Sequence, residues 1–487
     1  MVNSRTRDAQ SLETKRAEVE FHNFASLGEP ERAAAVYAEE NRRRGAILAE
    51  HAAWIGSFTP FLELGANAGH SSYMLVNQFG ASGFALDISA DALRHGIALM
   101  EWWSLDRAPV RLGGDAARLP FRDGSLRLVL AYQMLSQFLG VERVFAEAAR
   151  VLAPGGVFLF AEEPLRRLLT LRLFRSPYEH DMRPWQRRLY RLGLLGYLAQ
   201  DVIGSRQEEI FGIEQNHGLD SGDWRRLAGR FFAESRFLVY VPERGPGERW
   251  VKRLAGWAER DRNREGAGWL GAELLGGSIT GICRKAGSPV EPSFSDDRFE
   301  SVLQCPDCAG LLLRSPANDL YCASCAYAAP DQDGVYNLLP SGERAELYPG
   351  DRDDHIDFSL PGHQARLGSG WYELDGVCGN RYRWMGAEAT ALLRPLDARP
   401  WRLRLRGFAA EASFQQHSRV QVQFFANDQP AGSITLRRPG TFLFEATLPP
   451  APEYRLVIRV DPTIRIPNDD RPYGVNISLI RLAPAGP

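Results

Sequence analysis

FLELGANAGHSS, residues Phe61 to Ser72, reads as a strand, a turn and a helix start. A short apolar run containing Glu63 meets a turn with Gly65 and Gly69, and a polar segment follows. Glycines let a backbone turn sharply and approach a ligand with no Cβ in the way. The first turn of a helix offers unpaired N–H groups to a polar ligand. The stretch therefore predicts the first strand, loop and helix of a nucleotide-type α/β domain.

Outward from it, strand-like and helix-like segments alternate from Phe61 to about Glu163. Strands are expected at Phe61–Leu64, Gly83–Asp87, Val110–Gly113, Leu126–Ala131 and Gly156–Phe160, and helices at Ala90–Trp103 and Val141–Leu152. That order predicts a parallel sheet with crossover helices. Arg236–Val241 and Gly277–Arg284 would complete the sheet around helical excursions, one of them an insertion at about 165–232. Asp87 ends the second strand some twenty residues after the glycine turn, where an acidic side chain can accept hydrogen bonds from a ribose. The dinucleotide fingerprint G-x-G-x-x-G does not fit Gly65 to His70.

GDAARLPFRDGSLRLVLAYQ (Gly114 to Gln133) and ARVLAPGGVFLFAEEP (Ala149 to Pro164), taken with the opening stretch, resemble class I S-adenosylmethionine-dependent methyltransferases. The resemblance implies a Rossmann-like seven-stranded sheet over about 57–286. It implies cofactor contacts by Glu63, Gly65, Asn67, Gly69, Asp87, Ile88, Asp115, Ala116 and Tyr132, with Asp87 on the ribose hydroxyls and Asp115 on the adenine amino group. Asn67 stands where the family commonly has glycine, and Asn tolerates a left-handed backbone better than most residues.

Methyl transfer is an in-line displacement, so positioning supplies much of the catalysis. A hydroxyl acceptor also needs a base. Glu162 and Glu163, after the fifth strand, and His180 and His217, in the insertion, are the candidates, with His217 preferred for its polar, aromatic setting in EEIFGIEQNHGLDSGDW. The Asn-Pro-Pro-aromatic motif that family members acting on amide or amino nitrogens often carry is replaced by Ala131-Tyr132-Gln133-Met134, which weakens an adenine-N6 or glutamine acceptor without excluding it. Arg166, Arg167, Arg172, Arg175, Arg183, Arg187, Arg188 and Arg191 interleave with aromatic residues, a pattern suited either to a solvated lid or to a phosphate-bearing or lipid-linked substrate.

At 487 residues, roughly three domains are expected. Lys+Arg 58 against Asp+Glu 60 gives a net charge of −2 and no global attraction to nucleic acid. No apolar run reaches the roughly 18 residues of a membrane span, and the polar N-terminus lacks a signal-peptide core, so a cytoplasmic protein is expected. Four of the six cysteines form Cys305-x2-Cys308 and Cys322-x2-Cys325, thirteen residues apart. This predicts a structural zinc site over about 301–340. CPDCAGLLL and LYCASCAYAAPDQDGVYNLLP resemble the small zinc-ribbon family of tRNA-methyltransferase activator proteins.

Residues 1–56 read as N-terminal helices and residues 365–487, with period-two runs such as Trp401, Leu403 and Leu405, as an antiparallel β-sandwich. GWYELDG, YRWMG and DDRPYGVNISLIRL resemble modules appended to bacterial glycan-synthesis enzymes, and Trp371, Tyr372, Tyr382 and Trp384 are candidates for stacking on sugars. The sequence thus predicts a methyltransferase acting on a saccharide or glycan-related hydroxyl. Alternatives are an RNA methyltransferase and a non-catalytic scaffold that retains the fold.

Overall fold

The structure is a computed structural model and describes residues 12, 14–16, 18–20, 30–138, 140–165, 183–192, 219–240, 277–466 and 469–484. Two compact units emerge: Tyr37–Ile88 with Ser104–Leu339, and Met1–Val36 with Ser89–Trp103 and Pro340–Pro487.

In the first unit, helix α1 (Pro30–Ile55), whose residues from Tyr37 belong here, leads into strand β1 (Phe61–Leu64), helix α2 (His70–Gln78) and strand β2 (Gly83–Asp87). All nine residues of β1 and β2 are buried, as expected of strands covered on both faces. Helix α3 (Ala90–Trp103) follows in the chain and groups with the second unit. The sheet continues through β3 (Val110–Gly113), β4 (Leu126–Tyr132), helix α4 (Val141–Val151) and β5 (Leu152–Pro164). Val141, Val144, Phe145, Ala148 and Val151 fall on one side of α4 at helical spacing, and all are buried. Helix α5 (Pro184–Arg191) belongs to the arginine-rich stretch; Arg187 and Arg188 are exposed on it, while Arg166, Arg167, Arg172, Arg175, His180 and His217 lie outside the described residues. Helix α6 (Ser221–Phe231) starts with an Asp220–Asp223 capping box and buries Trp224 against Phe160 at 5.2 Å. Strands β6 (Glu234–Tyr240) and β7 (Ser278–Arg284) finish the sheet.

Seven strands run in the order β3-β2-β1-β4-β5-β7-β6, with β7 antiparallel to its neighbours. The sheet is larger than the seven strands expected from sequence. The cysteine-containing segment folds into a three-stranded sheet of β8 (Leu312–Arg314), β9 (Leu320–Cys322) and β10 (Ala328–Ala329), and then adds β11 (Asp331–Gln332) and β12 (Val335–Asn337) to the main sheet. β12 pairs in parallel with β3, covering an edge that would otherwise present unpaired backbone groups. Leu303, Leu312, Leu320, Tyr327 and Leu338 share one core with Leu86, Leu112 and Phe121.

The second unit holds the C-terminal antiparallel sheets. One six-stranded sheet contains Trp371–Val377, Asn380–Met385, Asn476–Pro484, Trp401–Ala409, Gly440–Leu448 and His355–Asp357; a four-stranded sheet contains Glu388–Leu393, Tyr454–Asp461, Val420–Ala426 and Gln429–Leu436. Leu403, Leu405 and Ile480 from the first and Val422, Phe424 and Ile458 from the second belong to one core. Arg404 and Arg406, on the polar side of the alternation, are also buried: Arg404 and Arg481 pair with the Glu20 carboxylate, and Arg406 donates to the Glu20 carbonyl. Among the described residues, no helix is long and apolar enough to cross a membrane.

Candidate active site

In a parallel sheet the crevice for a ligand opens at the carboxyl ends of the strands, where the strand order reverses, here between β1 and β4. The loop after β1 is folded tightly there. Gly65, Asn67 and Gly69 have φ of 62°, 52° and 78°, so three of its residues are left-handed. Asn67 adopts the conformation that a glycine would, which explains why the exchange is accommodated. The Ala66 N–H donates to the Leu86 carbonyl at 3.0 Å, and the Asn67 N–H to Asp87 Oδ2 at 2.8 Å. The β1 loop is thereby pinned to the end of β2.

The end of β2 is in turn joined to the segment after β3, because the Gly114 N–H donates to the Asp87 carbonyl at 2.8 Å. Asp115 closes that turn: its Oδ1 accepts from the Ala117 N–H at 2.8 Å, with buried Ala116 between them. Asp87, half-buried Ile88, Asp115 and Ala116 therefore lie along two neighbouring strand ends. Beneath them, Glu63 is buried and accepts from the Ser72 hydroxyl. Burial pushes its pKa up to about 7, against the opposing Ser72 hydrogen bond and the Arg44 charge.

The two predicted carboxylate bases are both engaged by neighbouring donors. Glu163 is fully buried; its Oε1 accepts from the N–H groups of Met134 and Leu135 at 2.9 Å each, and its Oε2 from Ser136 at 3.0 Å. It satisfies the first N–H groups of the short 3-10 turn Leu135–Gln137, which makes it a positioning residue. Burial raises its pKa to about 7 although the three N–H donors favour the anion. Glu162, at φ 63°, accepts from Arg44 Nη2 at 2.7 Å and Nε at 3.2 Å, with Arg43 at 3.3 Å. His217 lies outside the described residues.

Sequence reasoning missed the cluster that α1 brings to this end. Buried Arg44 also reaches His70 Nε2 at 2.8 Å and Ser71 Oγ at 2.9 Å, and its guanidinium stands 4.4 Å from the centre of the Tyr132 ring. His70 sits 2.9 Å from Glu40 and stacks on Tyr37 at 4.2 Å; burial holds its pKa below the usual imidazole range despite Glu40. Only the spacing of charge along a charged helix, Glu40 to Arg44, hinted at this network. The Tyr132 hydroxyl is buried within it and has no hydrogen-bond partner among the described residues. An orphaned hydroxyl beside a glycine loop is costly unless a ligand or water meets it.

The acidic strand ends, the left-handed loop and the orphaned hydroxyl fit a cofactor with ribose hydroxyls and an amino group. Residues 62–160 match the family described as methyltransferase domain. That match spans 99 of the chain's 487 residues. It is similar to the malonyl-[acyl-carrier protein] O-methyltransferase of Geobacter sulfurreducens, 35% identical over 102 residues, covering 20% of this chain and 37% of that protein. It is similar also to the norajmaline N-methyltransferase of Rauvolfia serpentina, 22% identical over 173 residues, with 35% and 56% covered. The fatty-acid O-methyltransferase of Mycolicibacterium smegmatis is 29% identical over 161 residues, with 32% and 50% covered. The chain thus spans between about a third and about half the length of these relatives.

Cys305, Cys308, Cys322 and Cys325 bring their sulfurs within 4.8 Å of one another. Cys305 and Cys325 stand 3.7 Å apart, and Cys308 and Cys322 3.5 Å. Sulfurs 2.3 Å from a tetrahedral ion lie about 3.8 Å apart, so four free thiols at this spacing suit a zinc-class ion. Cys283 is buried, with its thiol pushed up to about 12 by burial, and Cys378 is half-buried; neither joins the cluster.

Around the predicted sugar-stacking residues, Trp371 donates to the Thr390 carbonyl at 2.7 Å, while Tyr372 and Trp384 pack edge-on against Tyr473 at 5.0 and 5.6 Å. Tyr382 is half-buried 6.5 Å from Trp384, and Asp469 is engaged by Arg471 and Tyr473 of the same strand, Asp469–Tyr473.

Proposed function

We propose that the protein is an S-adenosylmethionine-dependent methyltransferase whose cofactor lies over the Gly65–Gly69 loop. The observation that carries this reading is the linked pair of strand ends: Asp87 pinned to the Asn67 N–H, and Asp115 closing the next turn. Asp87 would accept from the ribose hydroxyls, Asp115 from the adenine amino group, and the Tyr132 hydroxyl would donate or accept at the methionine end. The cofactor, when bound, supplies an electrophilic methyl group on a sulfonium. Glu163 holds Met134 against Gly65 and so shapes the floor of the site. The four cysteines would hold a structural zinc ion.

For the acceptor, we propose an oxygen on a saccharide or glycan-related molecule, supported by the appended C-terminal sheets with their half-buried aromatic cluster. A specific observation favours a second reading, a carboxylate on an acyl chain. Glu162 and Glu163 are both engaged, so neither is placed as a free base, and a carboxylate is already ionised at neutral pH and needs none. Two of the three similar proteins are named O-methyltransferases of acyl substrates.

Methyl-labelled cofactor with either nucleotide sugars or fatty acids separates these readings. A labelled sugar ether survives mild alkali, whereas a labelled ester releases volatile methanol. Cofactor binding without labelled product from either set or from cell extract would favour the scaffold reading.

A further inference from the structure

The segment Gly113–Arg122, which carries Asp115 and Ala116, is held by the cysteine ribbon at both ends. On one side, the Leu338 N–H donates to the Gly113 carbonyl at 2.7 Å, where β12 pairs with β3. That strand is gripped from the second cysteine knuckle. The Tyr327 hydroxyl, two residues beyond Cys325, donates to the Asn337 and Leu339 carbonyls at 3.1 and 2.9 Å.

On the other side, Arg118 Nη2 donates to the Pro306 carbonyl at 2.7 Å, and Pro306 directly follows Cys305. The Gln304 N–H, just before Cys305, donates to the Pro120 carbonyl at 3.0 Å, and the Arg122 N–H to Val302 at 3.0 Å. Each knuckle is thus within two residues of a group that fixes the Asp115 turn. Short strands of two or three residues, such as β8 to β12, have little stability of their own. Beside the shared core and the pairing of β12 with β3, what closes the four sulfurs together bears on their geometry.

We propose that a zinc-class ion at Cys305, Cys308, Cys322 and Cys325 sets cofactor affinity, by holding the ribbon as a clamp on the Asp115 turn. This rests on the S-adenosylmethionine reading of the site. Two sites joined through one shared element are coupled reciprocally: the metal tightens the cofactor by the same factor as the cofactor tightens the metal.

The test compares the full chain, zinc-loaded and chelator-stripped, by calorimetry with S-adenosylhomocysteine and by hydrogen exchange of residues 113–122 against β5. Stripping is expected to weaken binding by about tenfold or more and to speed exchange in 113–122 while β5 stays protected. Arg118→Ala, with its zinc content unchanged, should weaken binding in the same direction, and Arg118→Lys should recover part of it. Four results overturn the proposal: no zinc bound; stripping with affinity and exchange unchanged; equal loss of protection in β5; or Arg118→Ala binding like wild type. If zinc-loaded protein binds no S-adenosylhomocysteine, the cofactor reading fails, and exchange in 113–122 alone decides whether the clamp exists.

Discussion

Gly65→Ala tests whether the loop after β1 is built as described. The substitution meets two separate costs. At φ 62° an L side chain is in the left-handed region, which costs about 1–2 kcal/mol. The new Cβ would also lie 2.9 Å from Met134 Cβ and 3.1 Å from its Cγ. Met134 cannot withdraw freely because its N–H is bonded to Glu163, so overpacking adds about 1–3 kcal/mol. The total is about 2–5 kcal/mol, expressed at the floor of the cofactor site.

Gly80→Ala is the control, because Gly80 has φ 63° and no atom within 4 Å of the added Cβ. It carries the backbone cost alone. Hydrogen exchange of β1 and β2 amides reads the opening free energy of the sheet in each variant, and calorimetry with S-adenosylhomocysteine reads the site. Gly65→Ala should lose more protection than Gly80→Ala and bind at least about tenfold more weakly. Equal behaviour of the two variants would refute the packing of Met134 on Gly65.

Two further outcomes follow from the buried carboxylates. Glu163→Ala leaves three backbone N–H groups without their acceptor, at about 1–3 kcal/mol for each that water does not reach; exchange at 134–138 should rise sharply, with Glu163→Gln intermediate because one oxygen remains. Glu63, with a folded pKa raised to about 7, takes up a proton on folding between about pH 4.5 and 7, so its contribution is complete below that window and lost above it. Protection of β1 in wild type should therefore fall relative to Glu63→Gln as pH rises from about 5 to 8, and a pH-independent difference would show that Glu63 is not buried as a neutral acid.

The strand positions were legible because β1, β2 and β3 are short apolar runs ended by glycine or aspartate. Phe61–Leu64, Gly83–Asp87 and Val110–Gly113 were read with their observed bounds. β5 begins earlier than expected, at Leu152, since Pro154 and Gly155 masked strand character at its irregular start. The left-handed loop and the cysteine spacing were legible for the same reason: both depend on residue types at fixed offsets.

Long-range pairing was not legible. Val335–Asn337 is too short to declare its partner, so the ribbon's share in the main sheet emerges only in three dimensions. Glu40, Arg44 and His70 are far apart in sequence or look like ordinary helix surface, and their burial around Tyr132 depends on how α1 lies in this unit. For Glu163, sequence shows the charge but not the three N–H groups enclosing it.

The most direct measurement is titration of the full chain with S-adenosylhomocysteine, beside Asp87→Ala. Wild type is predicted to bind one equivalent saturably. Asp87→Ala should bind about tenfold or more weakly, having lost a charged acceptor and the anchor of the Asn67 N–H. No binding by wild type at about millimolar ligand, where a dissociation constant corresponds to only about 4 kcal/mol, would contradict the account.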